Sequence, residues 1–191
     1  LGEPVRISAE HGEGMADLYS ALMPYADAAD EKAAQAADDA AITDVDLDEL
    51  AQVYQLRLEL NELTGRLLPS RVDRGLKALF DSMRQRAAKL RTSPDRQEFA
   101  RLNIVFFHAF QLLTENQPLR DVSEKLFYQT CRIWLTQIPN MDLSNEVGIF
   151  CSEIEAIADA VALGDIEAAA HIRRAHLSMG FNRLRNQQRD V

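Results

Sequence analysis

The amino-acid sequence predicts an all-α protein, an antiparallel bundle of about six helices with a short N-terminal segment that lies outside the bundle. Two observations carry this prediction. From residue 46 onward, apolar residues recur at intervals of three and four, which places them on one face of a helix. Pro, Gly and helix-capping residues separate these stretches, and no alternating run typical of a β-strand follows residue 45.

The first three helices are predicted from cap signals and apolar spacing. Asp46 with Glu49 resembles a capping box at the start of the first helix, and Ser70–Asp73 is a second such box. Ser93-Pro94 places a cap and a proline at the start of a third helix, which runs to about Thr114. The apolar residues that share one face are Leu47, Leu50, Tyr54, Leu58 and Leu63, then Leu76, Leu79, Phe80, Met83, Ala87 and Leu90, then Phe99, Leu102, Phe106 and Phe110.

The last three helices are predicted in the same way. Asn116 and Pro118 end one helix and start the next, which covers residues 118–137. Pro139–Ser144 is expected to be a loop. A fifth helix covers about residues 145–162 and ends at Gly164, and Asp165 caps a sixth helix that reaches about residue 188.

The N-terminal part of the chain has a different composition. The sequence of residues 1–23 predicts a short strand at Pro4–Ile7, a glycine-containing loop and the start of a helix near Met15–Leu18. Residues 24–45 consist mostly of Ala, Asp, Glu, Gln and Lys, and so much charge with so little apolar surface favours an acidic linker. The predicted parts are therefore 1–23, the linker 24–45, and a helical domain 46–191.

The formal net charge of −9 is unevenly distributed along the chain. Residues 1–50 contain 13 acidic and 2 basic residues, whereas residues 51–191 contain 17 acidic and 19 basic residues. An acidic segment joined to a nearly neutral domain does not attract a phosphate backbone. We therefore expect no direct nucleic-acid binding by this chain.

The cysteines and the hydropathy indicate a cytoplasmic protein without a membrane anchor. Cys131 and Cys151 lack the spacing of metal ligands and are interpreted as reduced core thiols. The chain contains no run of about 18 apolar residues, and its first residues do not resemble a secretory signal. The chain starts without Met, from which we expect a fragment of a longer coding sequence.

Several segments of the helical part occur in an order and spacing that resemble a known family. They are Leu50–Leu60, Phe107-His108 followed by Asn116–Leu119, Leu126–Arg132, and Ile157 with Gly164-Asp165 and His176. Together they resemble the FCD domain, the C-terminal effector-binding domain of FadR-type regulators in the GntR family. The resemblance covers about residues 47–188. It implies a helical domain that binds a small carboxylate or acyl-type effector and forms a homodimer.

The resemblance also implies candidate site residues. Arg57 and Arg132 would hold a carboxylate, since a guanidinium group pairs well with one. The alternative is that both arginines lie on the helix surface in ordinary ion pairs or with extended stems. His108 and His176 match two positions of the family's effector and metal site, although they are equally well explained as polar groups beside the core.

Many FCD domains bind a metal ion through one acidic or Asn side chain and three histidines, and this chain matches that set only in part. Ile104 stands at the acidic position and Ile154 at the middle histidine position. Asn103 is one residue off, which corresponds to a rotation of about 100° on a helix. Because zinc normally takes at least three protein ligands, His108 and His176 alone disfavour a zinc or similar divalent metal site.

Residues 4–22, which begin Pro-Val-Arg-Ile-Ser8-Ala9-Glu-His11, resemble the end of the first G domain of Der-type (EngA) GTPases. The acidic residues 24–49 resemble the spacer between the two G domains of that family. There the Ser-Ala pair lies in a loop that contacts guanine, so Ser8 and Ala9 are interpreted as a remnant of a nucleotide site. The chain has no G-x-x-x-x-G-K-[ST] phosphate loop and no Asn-Lys-x-Asp motif. We expect neither GTP binding nor hydrolysis.

These observations predict a chimera whose larger part is the sensing and dimerisation domain of a GntR/FadR-type transcriptional regulator. It lacks the winged helix that would bind DNA, and it is not expected to be an enzyme. Two alternatives stay open. In the first, the helical part is a structural bundle that has lost its effector site; in the second, the chain is a Der-like GTP-binding fragment without activity.

Overall fold

The computed structural model describes residues 47–137 and 142–189, and six α-helices occur within these ranges. They are α1 (Leu47–Thr64), α2 (Arg74–Thr92), α3 (Arg96–Gln111), α4 (Gln117–Gln137), α5 (Leu143–Leu163) and α6 (Ile166–Arg189). The described residues contain no strand, only an isolated β-bridge between Pro69 and Thr114. The predicted all-α bundle is confirmed. The predictions for residues 1–46, and for most of the Pro139–Ser144 loop, fall outside the described residues.

Two helices begin later than the sequence analysis placed them. Helix α2 begins after Asp73, whose carboxylate accepts the backbone N–H of Leu76 at 2.8 Å, and not at Ser70. Helix α3 begins after Asp95, which accepts the N–H of Glu98 at 2.7 Å. Ser93 instead ends α2, because its N–H donates to the carbonyl of Lys89. In both cases a carboxylate caps the helix, where its charge is also stabilised by the helix dipole.

The other boundaries are close to the prediction. The Asn116 side chain accepts the N–H of Leu119 at 3.0 Å, and Asp165 accepts the N–H of Ala168 at 2.8 Å. Gly164 has a φ of 79°, in the left-handed region that glycine adopts without strain, and it ends α5 as predicted. Helix α5 begins two residues early, at Leu143, because Asp142 caps it.

Helices α5 and α6 pack against each other at the centre of the described bundle. Helix α5 also packs against α2, and α2 packs against α3. On the other side, α1 packs against both α6 and α4. Across the parts of the chain that the structure describes, no helix is both long and apolar enough to cross a membrane.

The buried apolar side chains form three separate clusters. The largest lies among α2, α3, α5 and the first turns of α6, and it includes Phe80, Phe106, Phe110 and Ile157. A second, smaller cluster contains Leu50, Tyr54 and Leu184, and a third contains Phe107, Phe127 and Cys131. A bundle of this size would ordinarily bury one contiguous core. The separation of the clusters therefore indicates where polar groups interrupt the core.

Candidate functional site

A cavity of about 90 Å³ lies where the three apolar clusters meet. Five of the six helices contribute side chains to its wall; α2 contributes none among the described residues. We call it the polar cavity, and the side chains that define it are Tyr54, Arg57, Asn103, Thr130, Glu146, Glu153, Arg173, His176 and Arg183, together with apolar residues such as Phe127, Phe150 and Phe181. Its position in the centre of the bundle makes it the candidate binding site.

Helical spacing brings the charged side chains of α5 and α6 to this cavity. Glu146 and Glu153 are seven residues apart on α5, which is two helical turns, so they lie on one face. On α6, Arg173, His176 and Arg183 follow one another at helical intervals and also share a face. Because α5 packs against α6, the two faces meet and their charges pair.

Two arginine–glutamate pairs neutralise most of the charge in the polar cavity. The Arg173 Nη1 atom donates to Glu153 Oε1 at 2.6 Å, and both side chains are 7% exposed. Arg183 donates from two nitrogens to the two oxygens of Glu146, at 2.8 and 2.9 Å. Such charge-assisted bonds are among the strongest that side chains form, so these four groups are held in place.

Arg57 differs from these two arginines because no carboxylate among the described residues pairs with it. Its side chain is buried, and Arg57 Nη1 donates to the hydroxyl of Thr130. Its guanidinium carbon lies 5.2 Å from the centroid of the Tyr54 ring and 5.6 Å from that of Phe127. Burial lowers the pKa of Arg57 to about 10, partly offset by Tyr54, so the side chain stays charged at neutral pH. Among the described residues, the polar cavity therefore contains one buried cation without a counter-charge.

Burial also affects the phenol beside this cation. It raises the pKa of Tyr54, while the positive charge of Arg57 acts in the opposite direction. The phenol therefore stays protonated at neutral pH and keeps a hydrogen-bond donor at the cavity wall.

His176 contributes an unpaired polar atom. The residue lines the polar cavity, and its Nδ1 atom is buried without a hydrogen-bond partner among the described residues. A buried polar atom without a partner is costly, and most such atoms in folded proteins are satisfied by protein, water or ligand. The structure thus brings two of the predicted site residues, Arg57 and His176, to one cavity.

The structure does not bring His108 to this cavity, contrary to the expectation from the sequence. His108 is exposed, and its Nε2 atom lies 3.2 Å from the hydroxyl of Tyr128. Desolvation of the ring lowers the pKa of His108, and the nearby Glu124 carboxylate opposes that effect. Its position therefore gives no support to a role in effector or metal binding.

Asn103, which the sequence analysis set aside, does lie on the wall of the polar cavity. Four residues later on the same face, Phe107 is buried, and its ring stacks on Phe127 with centroids 3.8 Å apart. Positions 104 and 108 are turned away from that face by about 100°. The register inferred from the resemblance was therefore one residue too far along α3.

The remaining predicted positions are placed as follows. Ile104 is partly buried and packs against the third apolar cluster, and Ile154 is fully buried in the largest one; neither lines the polar cavity. Arg132 lies on α4, but its side chain is outside the described part of the structure, so its role stays a prediction. Ser8 and Ala9 also lie outside the described residues.

The metal ion that the FCD resemblance implies does not fit the residues of the polar cavity. Within the described ranges, no group of three or more His, Cys, Asp and Glu side chains could hold a metal ion. Glu146 and Glu153, the two acids of the cavity, are already bound by arginines. A divalent cation beside these guanidinium groups would be repelled, and only one imidazole would be left to bind it.

Sequence reasoning missed the two arginine–glutamate pairs. The signal was present: Glu146 and Glu153 interrupt an apolar helical face at a spacing of seven, and Arg173 precedes His176 by three residues. Charged residues on the buried face of a helix need partners, which points to a polar site inside the bundle. The identity of the partners depends on helix packing, which the sequence does not specify.

The N-terminal stretch of the chain is similar to GTPases. It is 65% identical over 49 residues to the GTPase Der of Roseobacter denitrificans, which covers 26% of this chain and 9% of that protein. The GTPase Der of Ruegeria pomeroyi is 60% identical over 48 residues, covering 25% and 9%. The chain therefore spans less than a tenth of the length of these relatives.

The helical part matches a family model. Residues 52–179, more than half of the chain, match the model of the FCD domain. They include α2, α3, α4 and α5 and most of α1 and α6, and hence every helix that lines the polar cavity. The chain therefore belongs to the FCD family, the effector-binding domains of GntR-type transcriptional regulators.

Proposed function

We propose that the helical part of this chain is a small-molecule sensor that binds a carboxylate effector in the polar cavity. The observation that carries the proposal is Arg57, a buried cation for which the described residues supply no carboxylate. An anionic ligand would provide the missing counter-charge. The domain would act within a GntR-type regulator and is not proposed to catalyse a reaction.

The surroundings of Arg57 support this proposal. Phe127, Phe150 and Phe181 supply apolar wall, and Tyr54, Asn103 and His176 supply polar groups at different points around the cavity. Apolar wall combined with convergent polar groups is typical of small-molecule sites. The alternative, a bundle that has lost its site, does not explain why five charged side chains are kept in the centre, because buried charge costs stability.

A thermal-shift experiment tests the proposal. The purified chain is heated with small carboxylates, an acyl-CoA, GTP or ZnCl₂, each at about a hundred times an expected dissociation constant. A ligand specific for the folded state then adds about 2.7 kcal/mol, which raises the melting temperature by several degrees. A shift with a carboxylate and none with GTP is the expected result. A panel without any shift would contradict the proposal and favour the structural alternative.

The proposal includes a homodimer, as the FCD resemblance implies. Dimerisation of two effector-binding domains would bring together the two DNA-binding parts of an intact regulator. Light scattering coupled to gel filtration should give twice the mass of 21.5 kDa. A monomeric mass with intact effector binding would remove the dimer from the proposal and leave the sensor.

A further inference from the structure

The positive and negative charges on the wall of the polar cavity are unequal in number. Three arginines, Arg57, Arg173 and Arg183, face two glutamates. Both glutamates are engaged at 2.6 to 2.9 Å by arginines, so Arg57 is the one described arginine of the cavity wall with a free capacity for an anion. Among the described lining residues, the excess is one positive charge.

We propose that the polar cavity selects a small monocarboxylate with a neutral hydroxyl group and binds it without a metal ion. This inference rests on the proposed sensor function and specifies its ligand. The carboxylate replaces the Thr130 hydroxyl as the principal partner of Arg57, and the ligand's hydroxyl pairs with Nδ1 of His176. A hydroxyl group both donates and accepts, so it satisfies that nitrogen in either tautomer.

A second carboxylate on the ligand has no place in this arrangement. It would either lie near the oxygens of Glu146 and Glu153 or displace one of them from its arginine. Displacing Glu153 would leave a side chain that is 7% exposed as an unpaired buried charge. The two internal pairs therefore act against dianions, while Arg57 attracts monoanions.

The size of the cavity limits the length of the ligand. Its volume of about 90 Å³ is below the roughly 150 Å³ of a cavity that accommodates benzene. A hydroxy acid of two or three carbons, which has at most the six non-hydrogen atoms of benzene, corresponds to this space. An acyl thioester does not.

Isothermal titration of the full-length chain tests the proposal directly. Glycolate and lactate are compared with propanoate, with malonate and succinate, with octanoate and with inorganic phosphate, each in the presence and absence of EDTA. The hydroxy monocarboxylates should bind at least about tenfold more tightly than the dicarboxylates, because the second carboxylate of a dicarboxylate stays unpaired or displaces a glutamate. Their affinity should be the same with EDTA.

A change of selectivity provides the sharper test. Glu153→Gln releases Arg173 and creates a second free cation, so succinate or malonate should now bind, and should stabilise this variant more than the parent chain. Glu146→Gln releases Arg183 in the same way at a more exposed position, which keeps the test valid if Glu153→Gln folds poorly. The control is Glu98→Gln, which breaks the Arg86–Glu98 pair of similar geometry outside the polar cavity. Its ligand preference should equal that of the parent chain.

The outcomes separate this inference from the proposed function. If no carboxylate binds, both fail. If dicarboxylates bind the parent chain as tightly as monocarboxylates, or EDTA abolishes binding, the sensor function stands and the charge-selective, metal-free site is overturned. Tighter binding of octanoate or phosphate than of lactate would also overturn it. Unchanged selectivity in both glutamate variants would show that the pairs do not act against dianions.

Discussion

An arginine that is buried without a carboxylate partner lowers the stability of the folded protein. Burial lowers the pKa of Arg57 from the ordinary value of an arginine to about 10, which corresponds to a cost on the order of 3 kcal/mol for keeping the group charged. Since the folded state holds this proton less tightly than the unfolded state does, the cost is fully present below about pH 10. Stability recovers only as the pH rises above about 10, far from neutral conditions.

Replacement of Arg57 by Met should therefore separate stability from binding. The variant removes the unpaired charge but keeps much of its volume, so the free energy of unfolding should stay equal or rise by up to about 3 kcal/mol. Carboxylate binding should be lost. Urea denaturation and the ligand-induced thermal shift measure the two effects.

The matched control is Arg66→Met, two residues beyond the end of α1. The Arg66 side chain is 59% exposed, and its Nη1 atom lies 3.7 Å from Glu62 Oε1. That change should alter stability by less than about 0.5 kcal/mol and leave binding intact. A strong destabilisation by Arg57→Met would mean that its contacts with Thr130, Tyr54 and Phe127 outweigh the cost of its burial.

The two histidines identified from the sequence should differ in their effects. His176→Ala removes the unpaired Nδ1 atom of the polar cavity, and it should weaken hydroxy-acid binding by about tenfold while affecting propanoate little. His108→Ala removes only the contact with Tyr128 at the surface and should leave both affinities unchanged. Titration calorimetry of the two variants gives the comparison; an equal loss in both would place His108 in the site.

Of the site residues named from the sequence, Arg57 and His176 lie on the wall of the polar cavity, whereas His108 lies outside it and Asn103 lines it instead. A shift of one residue turns a side chain by about 100°, so it exchanges Asn103 for Ile104 and Phe107 for His108. Each candidate register combines one polar and one apolar residue, and the composition of the helix therefore does not distinguish the two registers. The packing of Phe107 on Phe127, a contact between two helices, decides the register.

At the scale of the helices, the sequence predicted existence and order well and starting points less well. Asn116, Gly164 and Asp165 were identified because the boundary signals around them, including Pro118, all place the helix ends within two residues of one another. At the starts of α2 and α3, a serine and an aspartate lie within three residues of each other, and either side chain is a good cap. Which one caps depends on where the preceding helix and loop end, and that is a property of the packed chain.

The caps of α3 can be tested by a pair of substitutions. Asp95→Ala removes the acceptor of the Glu98 N–H and should cost about 1 kcal/mol of unfolding free energy. Ser93 contributes to the end of α2 through its backbone N–H, which Ser93→Ala leaves in place. This substitution should therefore cost only a few tenths of a kcal/mol of unfolding free energy. Urea denaturation of both variants measures the difference, and the reverse order of costs would restore Ser93 as the cap.

The contact between the end of α1 and the start of α6 depends on a glycine. A Cβ atom added at Gly65 would lie 2.7 Å from the Cα of Glu167, a backbone atom that cannot move aside alone. Gly65→Ala should therefore destabilise the fold by about 1–3 kcal/mol. Gly148, inside α5, meets no atom within 4 Å, so Gly148→Ala should stabilise it by about 0.5–1 kcal/mol. Thermal melts of the two variants should shift in opposite directions.

At the scale of the whole molecule, the polar cavity explains why the core is divided. Three apolar clusters surround five charged side chains, and the aromatic residues Tyr54, Phe127 and Phe150 belong both to a cluster and to the cavity wall. The sequence predicted the helices that supply these residues but not the division, because Glu153 and Arg173 are distant in sequence and meet only when α5 packs on α6. A ligand at Arg57 would contact all three clusters and thereby stabilise their arrangement as one unit.

The two parts of the chain should be energetically independent. The FCD match begins at residue 52, whereas the stretch similar to GTPase Der lies at the N-terminus and carries most of the acidic excess. Deletion of residues 1–45 should therefore leave the helical signal in circular dichroism unchanged and the melting temperature within a few degrees. Lactate should shift the melting temperature of the shortened chain by as much as that of the full chain, because every lining residue that the structure describes lies beyond residue 53. A loss of more than about 2 kcal/mol in unfolding free energy, which exceeds the effect of a typical surface change, would show that the acidic part stabilises the bundle.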